Sequence, residues 1–371
     1  MGGHYITLEQ RHRLSDSTLY PGSASGGVVG GSRVGHRRLS SCQVLLLVLV
    51  AGSSVIALYG YWDVMMLTAG ARDPDGHSPR HLSNETLAEQ LRREVRVLCW
   101  VLTTPKYHKS RAVHVMRTWG KRCNQIYFMT SEPDDELPTI VLNKSDKYEV
   151  LWGKTKEAFT HIYEHMRDEA DWFMKADDDT YVFLENLRYM LYPYSPDQAI
   201  YFGYNFKMVG AHKKNESYMS GGSGYVLSRE ALRIFAEGLN DSTKCRQQDN
   251  NAEDVEMGSC LFNLDVKAGD SRDSKLRPRF YPLLPFDMLL SGYSGLDFWL
   301  YKYAYYSVRS CMDCLSEYPV AFHYVNPEQL YVFDFFNYDF QLVGKQKPEE
   351  RLPEKIRPED LVIPDYDNMI T

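Results

Sequence analysis

Short apolar runs alternate with helical repeats through the middle of the chain. The pattern predicts strands at 95–102, 125–130, 171–176 and 199–204, and helices over 110–118, 154–169 and 182–191. In the second of these helices, the apolar residues Ala158, Phe159, Ile162 and Met166 recur at the spacing of one helix face. Strands that alternate with helices in this way are typical of an α/β fold with a mostly parallel central sheet.

An uncharged apolar run occupies residues 44–62. As a helix, its nineteen residues would span about 28 Å, close to the hydrocarbon thickness of a bilayer. Arg33, Arg37 and Arg38 precede the run and Asp63 follows it, which predicts a cytosolic N-terminus by the positive-inside rule. We therefore expect a single-pass type II membrane protein. A cleaved signal peptide and a buried core helix are the alternative interpretations of the run.

The predicted anchor divides the chain into five segments. They are a cytosolic tail over 1–43, the transmembrane helix over 44–62, a polar stem over 63–94, a folded luminal body over 95–343 and a Pro-rich, charged tail over 344–371. The chain has 371 residues, of which 44% are hydrophobic and 25% charged, a composition typical of a globular protein. Its formal net charge of −7 argues against a nucleic-acid partner, because phosphates would be repelled.

Glycosylation motifs and cysteines agree with a luminal body. Four N-x-S/T motifs follow the anchor, at Asn84, Asn143, Asn215 and Asn240. Of the seven cysteines, one lies at the membrane edge and six lie in the body, an even number that suggests three disulfides in an oxidising compartment. Of the fifteen possible pairings, we expect the near neighbours, Cys99–Cys123, Cys245–Cys260 and Cys311–Cys314.

Three adjacent carboxylates follow the strand at 171–176, namely Asp177, Asp178 and Asp179. Their mutual repulsion at a strand end is costly unless a cation compensates it. Oxygen ligands suit Mg²⁺ or Mn²⁺, ions that typically also hold substrate phosphates. The sequence therefore predicts a metal and phosphate site here. A solvated acidic turn that caps the next helix is the alternative.

The motif around these aspartates resembles glycosyltransferase family 31. The matching segments are KADDDTYVFLENL from Lys175, Arg117-x-Trp119, Lys154-Thr155, GGSGYVLS from Gly221, and EDVxxG from Glu253. They occur in the order of the family and cover roughly residues 95–335. The resemblance implies a GT-A fold, Mn²⁺ as cofactor, a UDP-sugar donor and inversion at the anomeric carbon. It is greatest to members that move galactose from UDP-galactose to O3 of GalNAc on glycoproteins.

The family resemblance also implies roles for individual residues. Asp254 corresponds to the catalytic base, which accepts the proton of the acceptor hydroxyl; without the family, Glu253 and Asp254 would be interpreted as acidic residues that begin a helix. His323 corresponds to a late metal ligand that completes a set with Asp177 and Asp179. A lone histidine among apolar residues is otherwise more often a satisfied core residue.

Further residues are candidates for substrate contacts. The donor-binding candidates are Thr103, Arg117, Lys154, Asp177, Asp178 and Tyr331, of which Arg117 and Lys154 would offset the charge of the diphosphate. The acceptor-binding candidates are Tyr218, Gly222, Glu253 and Trp299. Arg117 and Lys154 have a simpler interpretation as members of ion pairs. The aromatic segment around Trp299 can likewise be interpreted as a membrane-proximal cluster, a core cluster or a dimer contact.

The resemblance leaves alternatives for the function. It implies a Golgi membrane enzyme with a luminal catalytic domain and, as in many family members, a possible homodimer. Another β1,3-specificity, with an N-acetylglucosaminyl or glucosyl donor, is one alternative. A non-catalytic luminal chaperone is the other, and it is disfavoured because the related chaperone lacks the metal-binding residues that this chain retains.

Overall fold

The computed structural model describes residues 82–208, 216–289, 299–309, 311, 313–344, 352–361 and 363. The predicted cytosolic tail, the predicted anchor over 44–62 and Asn215 lie outside these ranges. Within them, no helix is long and apolar enough to cross a membrane.

A seven-stranded sheet forms the centre of the fold. The strands of the chain are β1 (Val97–Leu102), β2 (Gln125–Thr130), β3 (Thr139–Val141), β4 (Trp172–Asp177), β5 (Tyr181–Val182), β6 (Ile200–Gly203), β7 (Asn205–Lys207), β8 (Ser217–Met219), β9 (Tyr225–Ser228), β10 (Lys267–Ala268), β11 (Phe280–Tyr281) and β12 (Ala321–Phe322). The order in the sheet is β10-β6-β9-β4-β1-β2-β3. Only β9 runs against the other six. The predicted α/β class and mostly parallel sheet are confirmed.

Helices cover both faces of this sheet. They are α1 (Leu82–Glu94), α2 (Val113–Arg117), α3 (Leu151–Met166), α4 (Leu184–Leu191), α5 (Arg229–Gly238), α6 (Glu253–Asn263), α7 (Pro285–Leu289), α8 (Trp299–Tyr303) and α9 (Pro327–Asp334). Successive side chains of β1 alternate between two apolar clusters, because side chains in a strand point to opposite faces. Val97 and Cys99 join the cluster that includes α4, and Leu98 and Trp100 join the one that includes α3 and α5.

Two small sheets extend the central one. The first has the order β11-β12-β5, with β12 antiparallel to β5, and the second pairs β7 with β8. The residue before β5 is Thr180, which closes the acidic turn at the end of β4. The three-stranded sheet therefore brings the C-terminal part of the chain, through β12, to the carboxyl end of β4.

Several predicted elements differ in their boundaries. The helix expected over 110–118 is a π-helical turn, His108–Ala112, that continues into α2. The helix expected over 182–191 begins only after β5. Residues 82–94, assigned to the stem by the sequence, form α1, whose Leu91 is buried. In the C-terminal tail, the Ile356 amide donates a hydrogen bond to the Pro193 carbonyl (2.7 Å).

Three disulfides connect Cys99 with Cys123, Cys245 with Cys260, and Cys311 with Cys314. These are the near-neighbour pairs expected from the sequence. Of the described glycosylation motifs, Asn84 lies in α1, whereas Asn143 and Asn240 are exposed.

Candidate active site

The acidic turn is fixed by hydrogen bonds from both sides. The Trp119 indole donates to the Thr180 carbonyl (2.8 Å), and the Thr180 hydroxyl donates to the Gly222 carbonyl (2.7 Å). Trp119 is fully buried, so its ring position is set by packing. The Arg117-x-Trp119 motif thus contributes to the site through its tryptophan, which holds the turn that carries Asp177, Asp178 and Asp179.

His323 reaches this turn because of strand register. Phe322 in β12 lies opposite Tyr181 in β5, so His323, the residue that follows β12, lies beside the acidic turn. The His323 Nε2 atom lies 3.3 Å from Asp179 Oδ1. One ligand atom each from Asp177, Asp179 and His323 lies within 4.8 Å of the others. Two carboxylates and an imidazole at this spacing fit a divalent cation.

Asp178, the middle aspartate of the turn, is almost completely buried. Its carboxylate accepts hydrogen bonds from the Thr103 hydroxyl (2.8 Å) and from Arg111 Nη1 (3.1 Å). Burial, and then the charge of Asp179, raises the pKa of Asp178 to about 7, against the opposing effects of Arg111 and Thr103. The structure therefore places Thr103, at the end of β1, beside the acidic turn.

Arg111 is a residue of this site that the sequence interpretation missed. Its guanidinium bridges Asp178 and Asp179, the latter at 3.3 Å, and packs over the Tyr107 ring at 4.4 Å. The sequence signal was weak, because Arg111 falls within a predicted helix and outside the recognised motif. Its direction depends on the π-helical turn that carries it.

Lys175 and Glu253 form a buried ion pair next to the turn, with Lys175 Nζ 3.0 Å from Glu253 Oε1. Burial opposes the charged lysine, but Asp177 and Glu253 outweigh it and raise the pKa of Lys175. Burial raises the pKa of Glu253, although Lys175 acts against that change. The other Glu253 oxygen accepts hydrogen bonds from Thr155 (3.2 Å) and Tyr225 (3.1 Å).

Asp254 lies in the first turn of α6 and is only partly buried. Its Oδ2 atom accepts a hydrogen bond from the Gly221 amide (3.1 Å), and its Oδ1 atom accepts one from the Val255 amide (2.9 Å). The neighbouring glycine, Gly222, packs against the His323 ring. One dipeptide, Gly221-Gly222, therefore contacts Asp254 on one side and a candidate metal ligand on the other.

The predicted acceptor residues Tyr218 and Trp299 share a neighbour. The ring of Phe206 lies 5.5 Å from that of Tyr218 and 5.9 Å from that of Trp299. Tyr218 belongs to β8, which leads into the Gly221-Gly222 dipeptide. The structure thus brings both aromatic residues into one cluster around Phe206.

Three predicted donor-binding residues have partners away from the acidic turn. Arg117 is exposed and faces Glu136 (3.9 Å). Lys154 is buried and paired with Asp146. The Tyr331 hydroxyl lies 2.9 Å from His114 Nδ1. Their role in donor binding remains a prediction.

Comparison with known proteins identifies relatives among glycosyltransferases. Residues 94–273 match the family described as Fringe-like. The chain is 40% identical over 273 residues to glycoprotein-N-acetylgalactosamine 3-beta-galactosyltransferase 1 of Xenopus laevis, covering 73% of this chain and 74% of the relative. It is 27% identical over 188 residues to human beta-1,3-glucosyltransferase, covering 50% of this chain and 35% of that protein. It is 29% identical over 175 residues to human chondroitin sulfate synthase 3, covering 43% of this chain and 20% of that protein.

Proposed function

Because this chain belongs to glycosyltransferase family 31, the Fringe-like glycosyltransferases, we propose that it transfers galactose from UDP-galactose to O3 of GalNAc α-linked to Ser or Thr of glycoproteins. The name of the Xenopus relative supports this choice of donor and acceptor. One structural observation carries the proposal. The Gly221-Gly222 dipeptide binds the candidate base, Asp254, and packs against the candidate metal ligand, His323.

The proposed cofactor is Mn²⁺, held by Asp177, Asp179 and His323. The donor set supports this choice, since two carboxylates and one imidazole suit a hard to borderline divalent ion. When bound, the ion would offset the negative charge that develops on the departing diphosphate. Arg111 adds a fixed positive charge beside the same carboxylates.

In this proposal, Asp254 is the general base of a single displacement. It accepts the proton of the acceptor O3 hydroxyl while that oxygen forms a bond to the anomeric carbon of galactose. The bond from that carbon to the phosphate oxygen breaks, and its electron pair leaves with UDP. Attack opposite the leaving group converts the α-linked donor into a β-linked product. General-base assistance of this kind contributes about 10²–10⁴-fold in rate.

We assign Tyr218 and Trp299 to the acceptor side, because sugar rings pack well against aromatic faces and because both rings pack against Phe206. Glu253 is better suited to a supporting role. It is 3% exposed, and its two oxygens already interact with Lys175, Thr155 and Tyr225.

The proposal includes a GT-A fold and a Golgi membrane location with the catalytic domain in the lumen. The mostly parallel sheet, with the candidate metal ligands Asp177 and Asp179 at the end of β4, supports the fold. The apolar run over 44–62, with arginines before it and all four glycosylation motifs after it, supports the topology.

The experiment is a transfer assay with the full chain purified in detergent. The reaction contains Mn²⁺, a GalNAc-α-Thr peptide and one of UDP-galactose, UDP-N-acetylglucosamine or UDP-glucose. We expect transfer from UDP-galactose alone, loss of transfer with EDTA, and a β-linked product by NMR. Transfer from another donor would assign a different family 31 specificity. A folded protein that binds UDP yet transfers no sugar would contradict the proposal.

Matched variants separate the metal site from the base. Asp254→Asn should lower kcat at least about 100-fold and leave UDP affinity nearly unchanged. Glu256→Gln is its control, because Glu256 lies in the same helical turn but bonds to Asn250 (2.6 Å). The double substitution Asp177→Ala and Asp179→Ala should instead abolish Mn²⁺-dependent UDP binding.

A further inference from the structure

Lys175 is a buried cation with three acceptors. Its side chain is 1% exposed, and its ammonium group lies 2.6 Å from Asp177 Oδ1, 3.0 Å from Glu253 Oε1 and 3.1 Å from the Gly221 carbonyl oxygen. An ammonium group has three hydrogen-bond donors. Each donor of Lys175 therefore has one acceptor.

The three acceptors belong to three different segments. Asp177 ends β4 and is a candidate metal ligand, Gly221 lies in the loop before β9, and Glu253 begins α6. The opposite side of Glu253 is held by Thr155 of α3 and Tyr225 of β9. Lys175 therefore connects three elements: β4, the loop that contains Gly221, and α6, the helix that carries Asp254.

The connection between Lys175 and Asp254 runs through the backbone of one residue, Gly221. Lys175 holds the Gly221 carbonyl, and the Gly221 amide holds the Asp254 carboxylate. A side chain at Gly221 would break this arrangement, because a Cβ there would overlap Glu253 and lie 3.3 Å from Asp254 Cβ and 3.4 Å from Lys175 Nζ. The close packing leaves the Gly221 peptide little freedom to move while Lys175 is in place.

We propose that Lys175 is a positioning residue for catalysis, which fixes the Asp254 base relative to the metal site through Gly221. This inference rests on the proposed function, because it presumes that Asp254 is the base. The alternative is that Lys175 only stabilises the fold as the partner of Glu253. The two roles predict different results when the charges of Lys175 and Glu253 are removed together. Replacement of a whole buried ion pair by neutral groups is often tolerated in stability, whereas removal of one partner is not.

The experiment compares Lys175→Met with the double variant Lys175→Met/Glu253→Gln in the full chain. The measured quantities are Tm, kcat with UDP-galactose and the GalNAc-α-Thr peptide, and the Kd of UDP with Mn²⁺. Arg188→Met is the control, since Arg188 is another buried cation but donates to the Arg122 carbonyl and to Asn124. It should lower Tm and leave kcat unchanged at a temperature where the protein is folded.

We expect Lys175→Met to lower Tm and the double variant to recover most of that loss. In the double variant kcat should nevertheless stay about 100-fold low, the cost of misplacing a reacting group by about 1 Å, and the Kd of UDP should rise by a much smaller factor. Wild-type kcat in the double variant would show that Lys175 only stabilises the fold. A rise in Kd as large as the fall in kcat would show that it acts through Asp177 alone. Either result overturns the inference, whereas inactivity of the wild-type protein would overturn the proposed function itself.

Discussion

Gly222 lies directly against the imidazole ring of His323. A Cβ atom at Gly222 would lie 2.6 Å from His323 Nε2 and closer still to Cε1 and Nδ1, separations that real carbon atoms do not adopt. The sequence also makes Gly222 a candidate for acceptor binding, and that role stays a prediction. In the structure, the space beside it belongs to a candidate metal ligand, so the absence of a side chain at Gly222 is what allows His323 to face Asp179.

Gly222→Ala should therefore weaken metal binding. The added methyl group must displace the His323 ring, and loss of support for a ligand typically lowers metal affinity about 10- to 100-fold. Calorimetric titration of Mn²⁺ into the protein in the presence of UDP measures the change in metal affinity. Gly269→Ala is the matched control, because its Cβ would meet the Phe202 ring, with Cζ at 2.8 Å. An equal loss of Mn²⁺ affinity in both variants would show that the effect comes from general destabilisation.

Arg111→Met should increase the stabilisation that the protein gains from Mn²⁺. In the metal-free protein Arg111 offsets the charge of Asp178 and Asp179, so its removal raises their mutual repulsion, which a bound cation then relieves. The measurement is Tm with EDTA and with saturating Mn²⁺ for each protein. Arg117→Met is the comparison, since Arg117 faces Glu136. A change in Arg117→Met as large as that in Arg111→Met would show that Arg111 has no special role in offsetting the charge of Asp178 and Asp179.

The acidic turn could be predicted because its signal is local. A mostly apolar strand followed at once by three aspartates implies that the carboxylates emerge at a sheet edge, and β4 ends at the first of them, Asp177, one residue later than predicted. His323 needed the family resemblance. Its approach to Asp179 depends on the pairing of β5 with β12, which joins segments about 140 residues apart and leaves no trace in the local pattern of either.

The buried network could not be predicted from the pattern. Lys175 lies within an otherwise apolar strand, and nothing near it in sequence identifies Glu253 and the Gly221 carbonyl as its partners. Arg111 was missed for a different reason. The pattern indicated a regular helix, whereas a π-helical turn there changes the direction of the side chain. Both errors arise because tertiary contacts decide the direction of charged side chains.

At the other end of β4, Asp171 should make stability depend on acid pH. Burial alone would raise the pKa of Asp171, but hydrogen bonds from Arg96 outweigh it, and the pKa of the folded protein is lowered below its ordinary value of 3.8. The unfolded chain therefore takes up the proton first as the pH falls. The stabilisation is present above about pH 4 and is lost as the pH falls through the folded pKa. Urea unfolding of the protein between pH 7 and pH 3 measures this dependence.

Asp171→Asn should lower the free energy of unfolding at pH 7 by about 1 kcal/mol, a small value because solvent screens the partly exposed Arg96. The variant should also show a weaker loss of stability below pH 4 than the wild-type protein. Asp197→Asn is the control, because Arg229 pairs with both Asp171 and Asp197, but the Asp197 side chain is 73% exposed. Identical acid profiles of wild type and Asp171→Asn would contradict the prediction.

The disulfides should differ in their contribution to stability according to the loop that each closes. Cys99 and Cys123 are 24 residues apart and buried, whereas Cys311 and Cys314 are 3 apart. Loop-closure entropy predicts about 3.5 kcal/mol for the first and about 2 kcal/mol for the second. Replacement of each pair by alanine, followed by urea unfolding, tests the order. Replacement of the Cys99–Cys123 pair should cost still more than this entropy, because both residues are buried in the apolar core. A larger loss for the Cys311–Cys314 variant would contradict this order, because it would show that the short loop contributes more stability than the link between β1 and the segment before β2.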